Sequence, residues 1–304
     1  MSFPLALGKF ALAARRSDPA KLARTKPAAS HPQIALALGA ADAGSNPLIS
    51  YLPQRLNQGE SGSCTAHAFA GAFATRAKFA GLPVSFVPSP REVYATTRAY
   101  ERTLTTPAGQ ALPDLTDSGA DLSNVIASVG VFGIAPIAAP TPDGRYSDIW
   151  TPADTSAQPS NVNLEPDGEQ LEQGAYDPLS GAYTIDPASD GAVQTANAAL
   201  QAGYPLYCGF FCSNNFQELQ FEQVAPAPDM NDPNGGGHAV FLVGSRTSPT
   251  VSGTTELLLC NSWGAWCGAL TPNDGMVWVS EAFFHAIWEI WVIDEKLAAS
   301  RNAA

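Results

Sequence analysis

Cys64 opens an alanine-rich stretch whose apolar residues recur every three or four positions, and the string before it reads Gln58-Gly59-Glu60-Ser61-Gly62-Ser63. A thiol attacks a carbonyl as the thiolate, and an ordinary cysteine pKa of about 8.5 leaves little thiolate at neutral pH. At a helix N-terminus the unpaired N–H groups and the macrodipole both favour the anion. Further along stand Gly237-His238-Ala239 and Asn261-Ser262-Trp263-Gly264. A histidine beside Cys64 would complete a thiolate–imidazolium pair. The amide oxygen of Asn261 would hold that imidazole in orientation, the third role of a triad. The Gln58 side-chain amide and the Cys64 backbone N–H would serve the oxyanion of a tetrahedral intermediate. Together these residues supply each part that acyl transfer requires.

Blander readings exist for each residue. A lone cysteine is usually a small buried hydrophobe, but the string around Cys64 favours chemistry. His238 follows Gly235-Gly236-Gly237, where missing side chains permit close approach of another chain. His67, one turn beyond Cys64, is a rival partner, while His31 and His285 lack supporting context and read as structural. Cys208, Cys212, Cys260 and Cys267 contain no C-x2-C pair, so a metal is not expected and the four read as reduced, buried thiols. No cofactor is implied. Trp266, Trp278, Trp288 and Trp291 read as core or cleft-wall aromatics.

The elements that must position these groups can be read from periodicity. Cys64–Ala80 reads as a helix stopped at Gly81, with further helices over Ser89–Arg102 and from Ser118, as N-cap, through Val129. A short helix over Gly191–Ala202 precedes strands at Leu206–Cys212, His238–Arg246, Glu256–Ser262, Gly275–Val279 and Ile287–Asp294. Helices first and strands second predict an α+β fold with two segregated halves and a cleft between them. The 304 residues suffice for a sizeable core, and 45% are hydrophobic. No apolar run reaches the roughly 18–20 residues of a membrane helix. A net charge of −12 argues against a nucleic-acid partner. Residues 1–45 carry Lys9, Arg15, Arg16, Lys21, Arg24 and Lys26 against Asp18 and Asp42, whereas residues 141–190 hold ten acids and only Arg145. The basic segment reads as a solvated tail or as a segment docked on the acidic body. No secretory signal is evident, because Gly8 and Lys9 interrupt the apolar stretch Phe3–Ala14.

The string Gln58–Cys64, Gly-His-Ala leading into a strand, and Asn-Ser-Trp-Gly after another strand together resemble the papain-like cysteine peptidases, in order, from Pro47 to Asp294. Weaker echoes at Ser118–Gly133, Asp190–Phe211 and Gly235–Gly244 are similar to bacterial and viral members. The resemblance implies a two-domain α+β fold, with a helical left domain carrying the cysteine and a strand-rich right domain carrying the histidine. It makes Cys64 the nucleophile, His238 the base and acid, Asn261 the orienting group and Gln58 the oxyanion-hole residue. Trp263 would shield the Asn261–His238 hydrogen bond, and Gly62, Ser63 and Gly237 would line the substrate path. The sequence departs from the best-known members at Ser61, where they carry a disulfide-forming cysteine, at Thr65 and around Trp266.

The organisation expected is a basic N-terminal extension (residues 1–45, pro-segment-like or a flexible tail) and a peptidase domain (46–304). That domain comprises a helical half (46–140), an acidic linker or insertion (141–190) and a β-rich half (191–295). The function expected is a thiol endopeptidase acting on peptide or protein substrates, with residues 1–45 as regulator. Two alternatives stand: a catalytically silent papain-fold binding protein, and an amidase- or transglutaminase-like acyl transferase. The alanine-rich, disulfide-poor character suggests a bacterial or phage origin, and a cytoplasmic location or a specialised export route.

Overall fold

The computed structural model describes residues 14–17, 22, 25–38, 46–53, 56–81, 88–134, 179 and 181–294; most of the expected acidic insertion lies outside them. In chain order β1 (Ala14–Arg15), β2 (Lys26–Pro27) and α1 (Pro32–Ala37) precede α2 (Cys64–Phe79), α3 (Pro90–Thr105), β3 (Ala120–Asp121) and α4 (Leu122–Phe132). Then follow β4 (Tyr183–Ile185), α5 (Ala192–Gln201), β5 (Leu206–Cys212), α6 (Asn214–Gln217), β6 (Val224–Ala225) and β7 (Gly236–Thr247). The last elements are β8 (Thr255–Cys260), β9 (Met276–Val279), α7 (Glu281–His285) and β10 (Ile287–Val292).

Helix α2 is buried from Cys64 through Ala77, as expected of a central helix without a polar face. Its small residues let β7 press close: a Cβ on Gly71 would come within 2.5 Å of the Phe241 ring. Helix α3 begins as its sequence dictates, with Pro90 in the first turn and Ser89 Oγ accepting from the Glu92 amide at 3.1 Å. Helix α4 begins later than expected. Ser118 is not its N-cap; Asp121 takes that position in extended conformation, without a side-chain cap bond. Asp121 is drawn out because its amide donates to Glu101 Oε1 at 2.8 Å and its carboxylate accepts from Arg15.

The main sheet has eight strands in the order β2-β4-β10-β5-β7-β8-β9-β6. Its centre is antiparallel, and β5 and β7 are buried along most of their lengths. One expectation needs correction: helices and strands are not cleanly segregated along the chain. β2 pairs in parallel with β4, and β1 with β3, so Ala14–Arg15 join the helical half and Lys26–Pro27 the main sheet. Two-residue strands carry no readable period, which hides them in the sequence. No helix of the described residues is long and apolar enough to cross a membrane.

Candidate active site

Cys64 is the first residue of α2, and the Ser63 side chain does not cap that helix. Ser63 Oγ instead meets Ser61 Oγ at 2.5 Å and His67 Nδ1 at 3.1 Å. The first turn therefore directs its N–H dipoles at the thiol and its surroundings. Helix α2 packs along β7, the strand that carries His238, and Cys64 and His238 are both 0% exposed.

The histidine's tautomer follows from its partners. Asn261 Oδ1 accepts from the Ser262 amide at 2.8 Å, and a backbone N–H can only donate, so this atom is the oxygen. His238 Nε2 lies 2.8 Å from the same oxygen and must therefore carry the proton. Nδ1 is left as the basic nitrogen, buried and without a hydrogen bond. Trp263 stacks on the imidazole at 4.6 Å between centroids, and Phe210 meets its edge at 5.8 Å. Burial pushes His238 down to about 4, opposed only in part by the Asn261 hydrogen bond.

Gln58 is fixed by the same logic. Ser262 Oγ donates to its Oε1 at 2.6 Å, and its Nε2 donates to the Ser61 carbonyl at 2.9 Å. The Gln58 amide donates to the Ser262 carbonyl at 2.8 Å, and Asn57 bridges to Trp263. The loop leading to Cys64 is thus stitched to the loop carrying Asn261 and Trp263: His238 touches Asn261 and Trp263 directly, and Gln58 joins them through Ser262. Ser61 Oγ donates to the Gln58 carbonyl at 2.8 Å, so the serine ties the loop internally where the resembled family has a disulfide.

The remaining expected residues have identifiable neighbours. The Gly62 amide is engaged by the Asp117 carboxylate at 2.9 and 3.1 Å, and Tyr94 donates to the same carboxylate at 2.7 Å. Gly237 faces the Ala14 carbonyl so closely that a Cβ there would lie 1.6 Å from its oxygen. His67 Nδ1 meets the Ser63 carbonyl at 3.0 Å, and burial pushes the ring down to about 4. His31 meets Asp294, and His285 meets the Pro187 carbonyl. All five cysteines are outside any disulfide. Burial raises the thiol pKa of Cys208, Cys212, Cys260 and Cys267.

Several residues at the site escaped sequence reasoning. Residues Ala14–Ser17 lie between the two walls. Arg15 pairs with Glu101 and Asp121, the Ser17 amide donates to Glu289 Oε1 at 3.0 Å, and Ser17 Oγ accepts from the Ser123 amide at 2.9 Å. Glu289 is 2% exposed and also accepts from Trp291 Nε1 at 3.1 Å. Burial raises its pKa, against the hydrogen bonds from Ser17 and Trp291. The available signal was the carboxylate interrupting Ile287-Trp288-Glu289-Ile290-Trp291. Asp117, Glu101 and Asp121 carried no local signal.

Comparison with known proteins bears on the fold. The sequence is 24% identical over 252 residues to an uncharacterized peptidase C1-like protein of Acanthamoeba polyphaga mimivirus, covering 81% of this chain and 72% of that protein. No family model matches the sequence. Xylellain, a cysteine protease from Xylella fastidiosa, superposes with a TM-score of 0.65 at 21% identity, over 94% of this chain and 95% of its own. A procathepsin B from Trypanosoma congolense gives 0.55 at 14% identity, over 94% and 83%. The bromelain protease of Ananas comosus, solved with an inhibitor, gives 0.53 at 16% identity, over 81% and 95%. The fold is that of the papain-like cysteine proteases, α+β with a helical half and a strand-rich half.

Proposed function

We propose that the chain is a cysteine endopeptidase built from a domain over residues 46–304, with halves at 46–140 and 191–295 flanking the insertion 141–190. The single observation that carries this reading is the protonation of His238. With Nε2–H held on Asn261, Nδ1 is the base, beneath Trp263, and Ser262, the residue after Asn261, ties this cluster to the Gln58 loop that leads to Cys64. His238 Nδ1 takes the Cys64 proton as sulfur attacks the substrate carbonyl carbon. The oxyanion is received by the Cys64 N–H and a Gln58 Nε2–H. The imidazolium returns its proton to the leaving amine, and the C–N bond breaks to leave a thioester. Water, deprotonated by the same nitrogen, then releases the acid and the thiol.

Residues 1–45 act in this reading as a regulatory extension. Support comes from Ala14–Ser17, which lie on both walls while Cys64 and His238 have no exposed surface. That closure also favours a second reading, a binding protein whose cleft is permanently filled. Full-length protein and a Cys64→Ala variant, each treated with a peptidyl epoxide and weighed intact, separate the two. One adduct on the wild type and none on the variant supports the peptidase. No adduct on full-length protein, nor after residues 14–17 are displaced by Gly237→Ala, supports the binding protein.

A further inference from the structure

Three groups of the helical half hold the Arg15 guanidinium. Its Nε donates to Asp121 Oδ1 at 2.9 Å, one terminal nitrogen donates to the Ser118 carbonyl at 2.9 Å, and the other pairs with Glu101 Oε2. The receiving carboxylates are themselves braced. Asn124 Nδ2 donates to Glu101 Oε1 at 2.8 Å and to Asp121 Oδ2 at 3.1 Å, and the Asp121 amide donates to Glu101 Oε1. A fixed set of acceptors spaced for several N–H groups matches the planar fork of arginine better than the point charge of lysine. Arg98 and Arg102 direct N–H groups to the Thr116 and Pro113 carbonyls and so hold the neighbouring loop. The recess beside Arg15 is about 610 Å³, room for more than one side chain.

The occupant arrives as extended peptide. β1 pairs with β3 at Arg15↔Asp121, and the preceding residue, Ala14, lies against Gly237, next to His238. Burial opposes the Arg15 charge, yet Glu101 and Asp121 outweigh it and raise the guanidinium above its ordinary pKa. A peptide laid along β3 would bring a side chain to the same acceptors.

The geometry points to a substrate subsite: the Glu101–Asp121–Ser118 pocket selects peptides carrying arginine, and Arg15 holds that pocket as the chain's own competitor. The inference rests on the peptidase reading above. Its test is turnover, by full-length Arg15→Ala, of fluorogenic peptides carrying arginine or its neutral isostere citrulline at one position at a time. At one position arginine should be preferred by about fivefold, the scale of a partly exposed ion pair. Glu101→Gln and Asp121→Asn should collapse that ratio towards one without an equal loss for uncharged peptides. Equal turnover of arginine and citrulline peptides at every position overturns the subsite. If no peptide is cleaved, the peptidase reading is decided separately by the epoxide labelling with Gly237→Ala, and the subsite is judged by binding of the peptide Ala-Arg-Arg-Ser to full-length Arg15→Ala carrying Cys64→Ala. Binding lost on replacing the first arginine with citrulline supports the pocket. Absence of binding, or binding indifferent to the replacement, overturns it.

Discussion

The two walls that meet on residues 14–17 hold that segment by different physics. On the helical wall the contact is ionic and partly wet: the Arg15 side chain is 43% exposed against Glu101 and Asp121. On the sheet wall it is steric and dry, with the Ala14 carbonyl on Gly237 and the Ser17 amide on buried Glu289. Exposed ion pairs contribute at most about 1 kcal/mol and are screened by salt. Stranding a buried polar group costs about 1–3 kcal/mol and is indifferent to salt. The helical wall therefore reads side-chain identity, and the sheet wall sets how firmly a backbone is held.

The largest expected effect tests whether the walls respond alike to acid. Each buries a neutral histidine, His67 in α2 and His238 in β7, and burial pushes both down to about 4. A histidine whose folded pKa lies below its unfolded value of about 6.5 stabilises fully above that value and loses the contribution as pH falls towards 4. At about 1.4 kcal/mol per pKa unit, the limit is roughly 3 kcal/mol for each. Glu289 has the opposite sign: its pKa is raised, so its contribution is full at low pH and is lost as pH rises through the folded value. Tm should fall between neutral pH and about pH 4. In His67→Asn, which keeps a donor for the Ser63 carbonyl, that fall should halve. An unchanged fall would confine the acid response to the sheet wall.

Gly237→Ala strikes the sheet wall alone. Its Cβ cannot coexist with the Ala14 carbonyl, so Cys64 should be alkylated by iodoacetamide roughly tenfold faster, as a loss of about 1.4 kcal/mol in closed-state stability gives. An unaltered rate would mean that residues 14–17 do not limit access to the thiol. The smallest effect belongs to the helical wall: Arg15→Ala should speed alkylation by at most about fivefold, and by nothing in about 1 M salt. A larger gain that persisted in salt would invert the comparison.

Much of the sheet wall was legible in the sequence, and little of the clamp between the walls was. The strand over Leu206–Cys212 was readable to the residue because its run is apolar and β-rich. The start of α2 at Cys64 followed from three- and four-residue spacing, and Gln58, His238, Asn261 and Trp263 stood in recognisable strings. β3 was hidden because two residues have no period, and Ser118 then imitated an N-cap. The destination of Arg15 was hidden because its partners lie 86 and 106 residues away. Charge balance pointed to an acidic surface, but among the described residues the anchoring carboxylates are Glu101 and Asp121, outside the acidic run of 141–190.

The register of β1 on β3 has a consequence in time. Translation makes Ala14–Ser17 before Cys64, before His238 and well before Glu289 on β10. The sheet wall is complete only after β10 has left the ribosome, and the segment that lies against it has by then long been made. A nascent chain thus passes through no interval in which both walls stand finished and their filling strand has yet to be made.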